Sequence, residues 1–581
     1  MGFGAARAPY DPTFGHQVKP ARPSRRLAVN DFARPRVDPT TSAFPSGASD
    51  AFGPHQGARP RRGSARDDNA DISSLTTADE APAKQTTQPP LLRGQHAGRL
   101  LAVLIPLRRQ RQQSSFAVAT MLAAIQFIAD TLKGKKEEFS LESVLSEFIL
   151  DNETLRRMMY VLDKQMNSGL VGGLKASTVA MLPSFVPKLP DGSESGKYLA
   201  IDLGGTNLRV LIMEITPGQE SRAESRNFRM PQSAMTGTGE ELFDFIATCM
   251  ANFLEEKGLL DVQMDLGFTF SYPCDQKNLR GAILLRWTKG FNASGVEGND
   301  VVKILQKAID KKKLKVRVAA LMNDTVGTQV ATAHEMGQCA LGVIVATGTN
   351  ASYMEEFKKI VKLQGVEYGY DKMIVDTEWG GFGDRGEAEF IKTQYDRIVD
   401  ERSVHPGVQC FDKMVGGMYM GELVRLVVEK LVKGNILFKG VGSELLFTPG
   451  TFPTKYISEV LCDEGGHLYQ TRQILDELGI DSYGYSDLLV LREVCMTVSR
   501  RSANLCAAAI ACVLNRISEK KVIVGIDGST YRFHPFFHTW VKDKVRELVD
   551  PCVEFNLVQA GDGSGKGAAL VAAIATQLKL S

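Results

Sequence analysis

Five short stretches, far apart in the chain, each set polar groups beside an apolar run. "LGFTFSYPC" carries Ser271, "LLRWTKGF" carries Thr288 and Lys289, and "ALMNDTVGT" carries Asn323 and Asp324. "TGTNASYME" carries Asn350, and "VDTEWGGFGD" carries Glu378. Hydroxyls, amides and a few carboxylates are what a polyhydroxylated ligand requires. Each ligand hydroxyl both donates and accepts, so a carboxylate paired with an amide can satisfy it. A site of this kind rejects analogues lacking a hydroxyl, because its own buried partners would go unpaired.

Glycine-rich bends form a second set. They are "DLGGTN" (Asp202–Asn207), "VIVATGTNASY" (Val343–Tyr353) and "GIDGSTY" (Gly525–Tyr531), with "GDGSGKGAA" (Gly561–Ala569) shortly after. None is GxGxxG or GxxxxGK[ST], so the Rossmann and Walker fingerprints are missing. Strand-like runs, "KYLAI" and "LRVLIMEI", flank the first bend. Gly204 and Gly205 at such a turn leave backbone N–H groups open to phosphate oxygens. Thr206 and Asn207 add donors, and Arg209 adds fixed positive charge. Asp202 would repel a phosphate and makes sense beside a metal ion or its water. Taken alone, the bend is that of an ordinary Gly-rich hairpin. The second stretch repeats the logic, and two such loops facing each other could clamp a nucleoside triphosphate between two lobes. That arrangement belongs to the actin-like ATPases.

The chain has the length to build such lobes. Its 581 residues exceed one ordinary domain, and 43% are apolar. A net charge of +2 gives no pull toward nucleic acid. Nine cysteines with no CxxC pair read as reduced thiols of a cytoplasmic protein, with no metal site. The first hundred residues hold 12 of the 24 prolines and scattered arginine clusters, the composition of a disordered extension spanning 1–114. No secretory signal opens the chain, and "MGFGAA" has Ala6 where a myristoylation site needs Ser or Thr. Leu100–Leu107 and Phe116–Leu132 are too short to span a bilayer. The second reads as a packed or surface helix, with weak association to a membrane or mitochondrial surface as its other use. Leu155, Met158, Met159, Leu162 and Met166 recur at helical spacing and predict a core-facing stripe.

Taken together, the motifs resemble those of eukaryotic hexokinases of the hexokinase/glucokinase family. "LAIDLGGTN", "LGFTFSYPC", "WTKGF", "NDTVGT", "ATGTNASYME", "EWGGFGD", "GGMYMGELVR", "GIDGSTYRFHP" and "DGSGKGAAL" follow in family order from about Met121 onward. One set is present, so there is no internal duplication. The resemblance implies an α/β, two-lobed, actin-like ATPase (ribonuclease H-like) fold with a deep interlobe cleft. Large-lobe helices would fill 115–194, the small lobe 195–326 and the large lobe 327–565, with a helix at 566–581 returning to the small lobe. The implied reaction moves the γ-phosphoryl of ATP, accompanied by Mg²⁺, to the 6-hydroxyl of glucose and other hexoses, the opening step of glycolysis.

By the same resemblance Asp324 is the catalytic base and Lys289 neutralises charge on the transferring group. The competing reading of Asp324 is a helix N-cap. Sugar binding carries over to Ser271, Thr288, Lys289, Asn323, Asp324, Asn350, Glu378 and Asp412. Nucleotide binding carries over to Asp202, Gly204, Gly205, Thr206, Asn207, Arg209, Thr347, Thr454, Gly528 and Ser529. Two positions depart from the family pattern. Asp412 stands in place of a glutamate that reaches the sugar, which predicts a modest loss of sugar affinity. Ala346 replaces a common glycine, tolerable only at negative φ. A kinase of another hexose and a weakly catalytic sugar sensor are the alternatives, and the protein is expected as a monomer or homo-oligomer.

Overall fold

The computed structural model describes residues 139–580, except 205, 206, 289, 464 and 518. The extension, Leu100–Leu107 and Phe116–Leu132 lie outside the described residues, as do Gly205, Thr206 and Lys289. The methionine-rich stripe falls in α1 (Asn152–Gly172) and is buried at every position named above.

The chain then runs through β1 (Leu182–Pro183), β2 (Gly196–Leu203), β3 (Asn207–Ile215), β4 (Arg222–Arg229), α2 (Gly239–Glu256) and β5 (Met264–Phe270). The hairpin β6 (Cys274–Asn278) and β7 (Gly281–Leu284) follows, then α3 (Val301–Lys311), β8 (Val316–Met322) and α4 (Asp324–Met336). A second run holds β9 (Leu341–Val345), β10 (Thr349–Glu356), β11 (Lys372–Asp376), α5 (Cys410–Val415), α6 (Gly417–Lys433) and α7 (Tyr485–Ile517). It closes with β12 (Lys521–Asp527), β13 (Glu554–Gln559) and α8 (Gly563–Gln577).

Two sheets result, ordered β4-β3-β2-β5-β8 and β1-β11-β10-β9-β12-β13. Each repeats one pairing scheme. β2, β3 and β4 form an antiparallel meander and β5 and β8 extend it in parallel. β9, β10 and β11 form the second meander, and β12 and β13 extend that one in parallel. This is the two-lobed actin-like α/β architecture expected from the motifs.

Burial explains why β2 reads as a continuous apolar run. Leu199, Ile201 and Leu203 join one core with Leu242, Phe243 and Ile246 of α2. Ala200 points to the other face and joins a second core with Ala568 and Ala569 of α8. A strand covered on both faces has no polar side to alternate with.

α8 packs on β2, β5 and β8 and crosses α4. The approach is close enough to exclude side chains. A Cβ on Gly267 would stand 1.9 Å from the Ala568 carbonyl oxygen, and one on Gly567 would stand 2.0 Å from that of Gly327.

Candidate active site

The β8–α4 junction presents Asn323 and Asp324. Asn323 is the N-cap: its Oδ1 accepts from Thr325 N at 2.9 Å. Asp324 is the first helical residue, so the capping function belongs to its neighbour. Asp324 lines two adjoining cavities.

The first cavity, of about 140 Å³, is lined by Ser271, Thr288, Asn323, Asp324, Asn350, Glu378 and Asp412, together with Thr347, Gly348, Thr349 and Gln409. Its floor is a fixed network. Asn350 Nδ2 donates to Asp376 Oδ1 at 2.8 Å and to Glu378 Oε1 at 2.9 Å, while its Oδ1 accepts from Glu378 N at 2.9 Å. Thr377 Oγ1 donates to the same Asn350 oxygen at 3.2 Å. Glu378 itself sits at φ 52, a left-handed conformation held by its surroundings. Burial pushes the Asp376 carboxyl well above its ordinary range, and the charge of Glu378 adds to the effect. Asp412 Oδ1 accepts from Thr349 N at 2.7 Å, bracing the "TGTN" loop. Ala346 in that loop is absent from the positive-φ residues, so its methyl is accommodated without strain.

The second cavity, of about 370 Å³, is lined by Asp202, Gly204, Arg209, Asp324 and Gly528, and also by Ser225, Asn227, Asp527, Arg532, Asp562 and Ser564. The N-terminus of α8 ties its wall together. Ser564 Oγ donates to Asp202 Oδ2 at 2.6 Å, and Gly563 N donates to Asp527 Oδ2 at 3.1 Å. Arg209 pairs with Asp562 and donates from Nε to Asn227 Oδ1 at 3.1 Å. Tyr272 Oη fixes the first bend by donating to the Gly204 carbonyl at 2.6 Å. Burial raises the Asp202 carboxyl, opposed by Ser564 and Arg209, and burial likewise raises that of Asp527.

Several expected nucleotide residues fall elsewhere. Thr347 lines the first cavity. Thr454 braces α6: its hydroxyl donates to the Gly417 carbonyl at 2.5 Å and accepts from Gly421 N at 2.9 Å. Asn207 and Ser529 line neither cavity. Six residues of the second wall were not singled out from the sequence. Asp527, Asp562 and Ser564 lie within glycine-rich stretches that had been noted, so a signal existed. Ser225 and Asn227 sit in β4, a polar strand with no distinguishing pattern. A larger cavity of about 610 Å³, lined by His334 and Lys566, contains none of the candidate residues. Among the described residues no cluster of three or more His, Cys, Asp or Glu could hold a metal ion.

Two family models, each described as hexokinase, match residues 140–334 and 340–574. The chain belongs to the hexokinase family. A hexokinase of Brugia malayi is 61% identical over 445 residues, covering 76% of this chain and 78% of that one. Human hexokinase-2 is 42% identical over 472 residues, 79% of this chain but 50% of that one. This family member thus spans about half the length of such mammalian relatives. Among solved structures, a hexokinase from Schistosoma mansoni complexed with glucose superposes with a TM-score of 0.71 at 42% identity, covering 75% of this chain and 98% of that one. Another hexokinase crystal structure gives 0.62 at 29% identity, covering 75% and 98%.

Proposed function

We propose that the chain transfers the γ-phosphoryl group of ATP to the 6-hydroxyl of glucose and related hexoses, with Asp324 as the base. The chain is a hexose kinase, and one observation carries the residue assignment: Asp324 lines both cavities. A sugar in the first and a triphosphate in the second would meet at its carboxylate. The 6-hydroxyl oxygen attacks the γ-phosphorus, the bond to the bridging β–γ oxygen breaks, and Asp324 takes the hydroxyl proton. Asn350, Glu378 and Asn323 orient the remaining hydroxyls from positions already fixed by hydrogen bonds, so little ordering is needed on binding.

Arg209 and the backbone at Gly204 and Gly528 suit the phosphates. Lys289 belongs to this proposal through its motif. Magnesium fits the second cavity: the Asp202 and Asp527 carboxyls both line it, and a cation would relieve the repulsion that Asp527 exerts on Asp202. Those two carboxylates would hold it, through water or directly, and it would neutralise phosphate charge. Phosphate oxygens would supply the other ligands. A cytoplasmic location is part of the proposal, supported by nine unpaired cysteine thiols.

The test is ATP- and Mg²⁺-dependent formation of glucose 6-phosphate by the purified protein, beside Asp324→Ala. The substitution is expected to lower kcat by about 10²–10⁴-fold while glucose still binds. Equal turnover by parent and variant would remove Asp324 from the mechanism.

A further inference from the structure

β11 ends on a carboxylate that the reaction above does not use. Asp376 is only 5% exposed and pairs across the sheet with Leu182 of β1 and Ser352 of β10. It lines neither cavity. Glu378, two residues on, is half-buried and lines the sugar cavity.

The two carboxylates share one amide. Asn350 Nδ2 carries two hydrogens, and it donates to Asp376 Oδ1 at 2.8 Å and to Glu378 Oε1 at 2.9 Å. Two acid groups gathered on one nitrogen, with one of them buried, do not both ionise. The proton resides on the deeper of the two, Asp376, because charge is least tolerable there. The upward shift of its carboxyl, from burial first and the Glu378 charge second, agrees. The charge of Asp324 works in the same direction. On the other sides stand Cys274 and Asp275 of β6, and Lys362, whose ammonium donates to the carbonyls of Gly169, Ala180 and Met181.

Glu378 needs a support of this kind. At φ 52 its backbone sits where a glutamate does not settle unaided, so its direction depends on what it touches. We propose that Asp376 is a positioning residue of the sugar site: as the neutral member of the pair it donates a hydrogen bond to the Glu378 carboxylate and aims it at a sugar hydroxyl. This rests on the sugar-site reading above. Once Asp376 ionises, that donor is lost and a second negative charge stands behind the first. Glucose affinity is therefore held while the proton is bound and falls as pH rises through its loss.

Glucose is titrated calorimetrically into the full-length protein, and infrared difference spectra of the same samples follow the carbonyl stretch of a protonated carboxyl. Asp376→Leu removes the donor and is expected to weaken glucose binding at pH 7 by about tenfold or more, with kcat lowered far less. Asp376→Asn keeps the shape and a donor but cannot ionise, and is expected to restore affinity to within about threefold of the parent. The protonated-carboxyl band is expected in the parent at pH 7 and not in Asp376→Asn. Parental affinity should fall over the pH range in which the band disappears, while that of Asp376→Asn stays level. A band unchanged by Asp376→Asn, or parallel pH profiles, overturns the proposal, and these hold as tests if Asp376→Leu does not fold. So does an Asp376→Asn affinity as poor as that of Asp376→Leu. A parent that binds no glucose overturns instead the sugar-site reading on which the proposal rests.

Discussion

Asn350 carries more of the sugar site than its single amide suggests. It donates to two carboxylates and accepts from the Glu378 backbone and the Thr377 hydroxyl. Removing it takes one donor from each carboxylate of the Asp376–Glu378 pair. Asn350→Ala is expected to weaken glucose binding by about 1–3 kcal/mol. Calorimetric titration checks this, and the affinity for ATP should be preserved because Asn350 lines only the first cavity. At this scale the sequence was readable where a polar residue interrupts an apolar run, as at Ser271, Asn323 and Glu378. It was silent where polarity is unremarkable, as at Ser225 and Asn227 in an exposed strand. Thr454, expected at the nucleotide from the family resemblance, has its hydroxyl bonded to the backbone of Gly417 and Gly421, a bracing role that no local pattern announced.

At the level of elements, the crossing of α4 and α8 decides how the lobes meet. The close approach explains Gly567 in "GDGSGKGAA", a stretch grouped above with the glycine-rich bends: it lies against Gly327. Gly567→Ala would place a methyl 2.0 Å from a carbonyl oxygen with no flexible side chain to yield. The expected cost is about 1–3 kcal/mol of stability, read as a lower urea midpoint at unchanged slope. A mutant as stable as the parent would show that the helices can part without penalty. Residue periodicity foretold α1 and the β2–β3 hairpin, since each satisfies a local pattern. It could not foretell this crossing, which joins segments over two hundred residues apart.

For the molecule as a whole, stability should depend on pH through a buried group that lines neither cavity. His534 is buried, and burial pulls its imidazole down to about 4 from an ordinary 6.5. The folded state therefore binds fewer protons than the unfolded chain between those values. Stability from this group is complete above about 6.5 and is lost as pH falls toward 4, by up to about 3 kcal/mol. His534→Asn can still accept from Phe536 N, as Nδ1 does at 3.2 Å. Its unfolding midpoint should fall less than the parent's between pH 7 and 5, and an identical fall in both would assign the effect to other groups.

The N-terminus of α8 has a consequence for the making of the protein. Asp562, Gly563 and Ser564 join Arg209 and Asp202 of one sheet to Asp527 of the other, and they are synthesised after every strand they connect. A chain still emerging from the ribosome can assemble both meanders and the floor of the sugar cavity, but the second cavity lacks a wall until these residues arrive. Completion of the second cavity is thereby deferred until α8 has been made and has docked on both sheets.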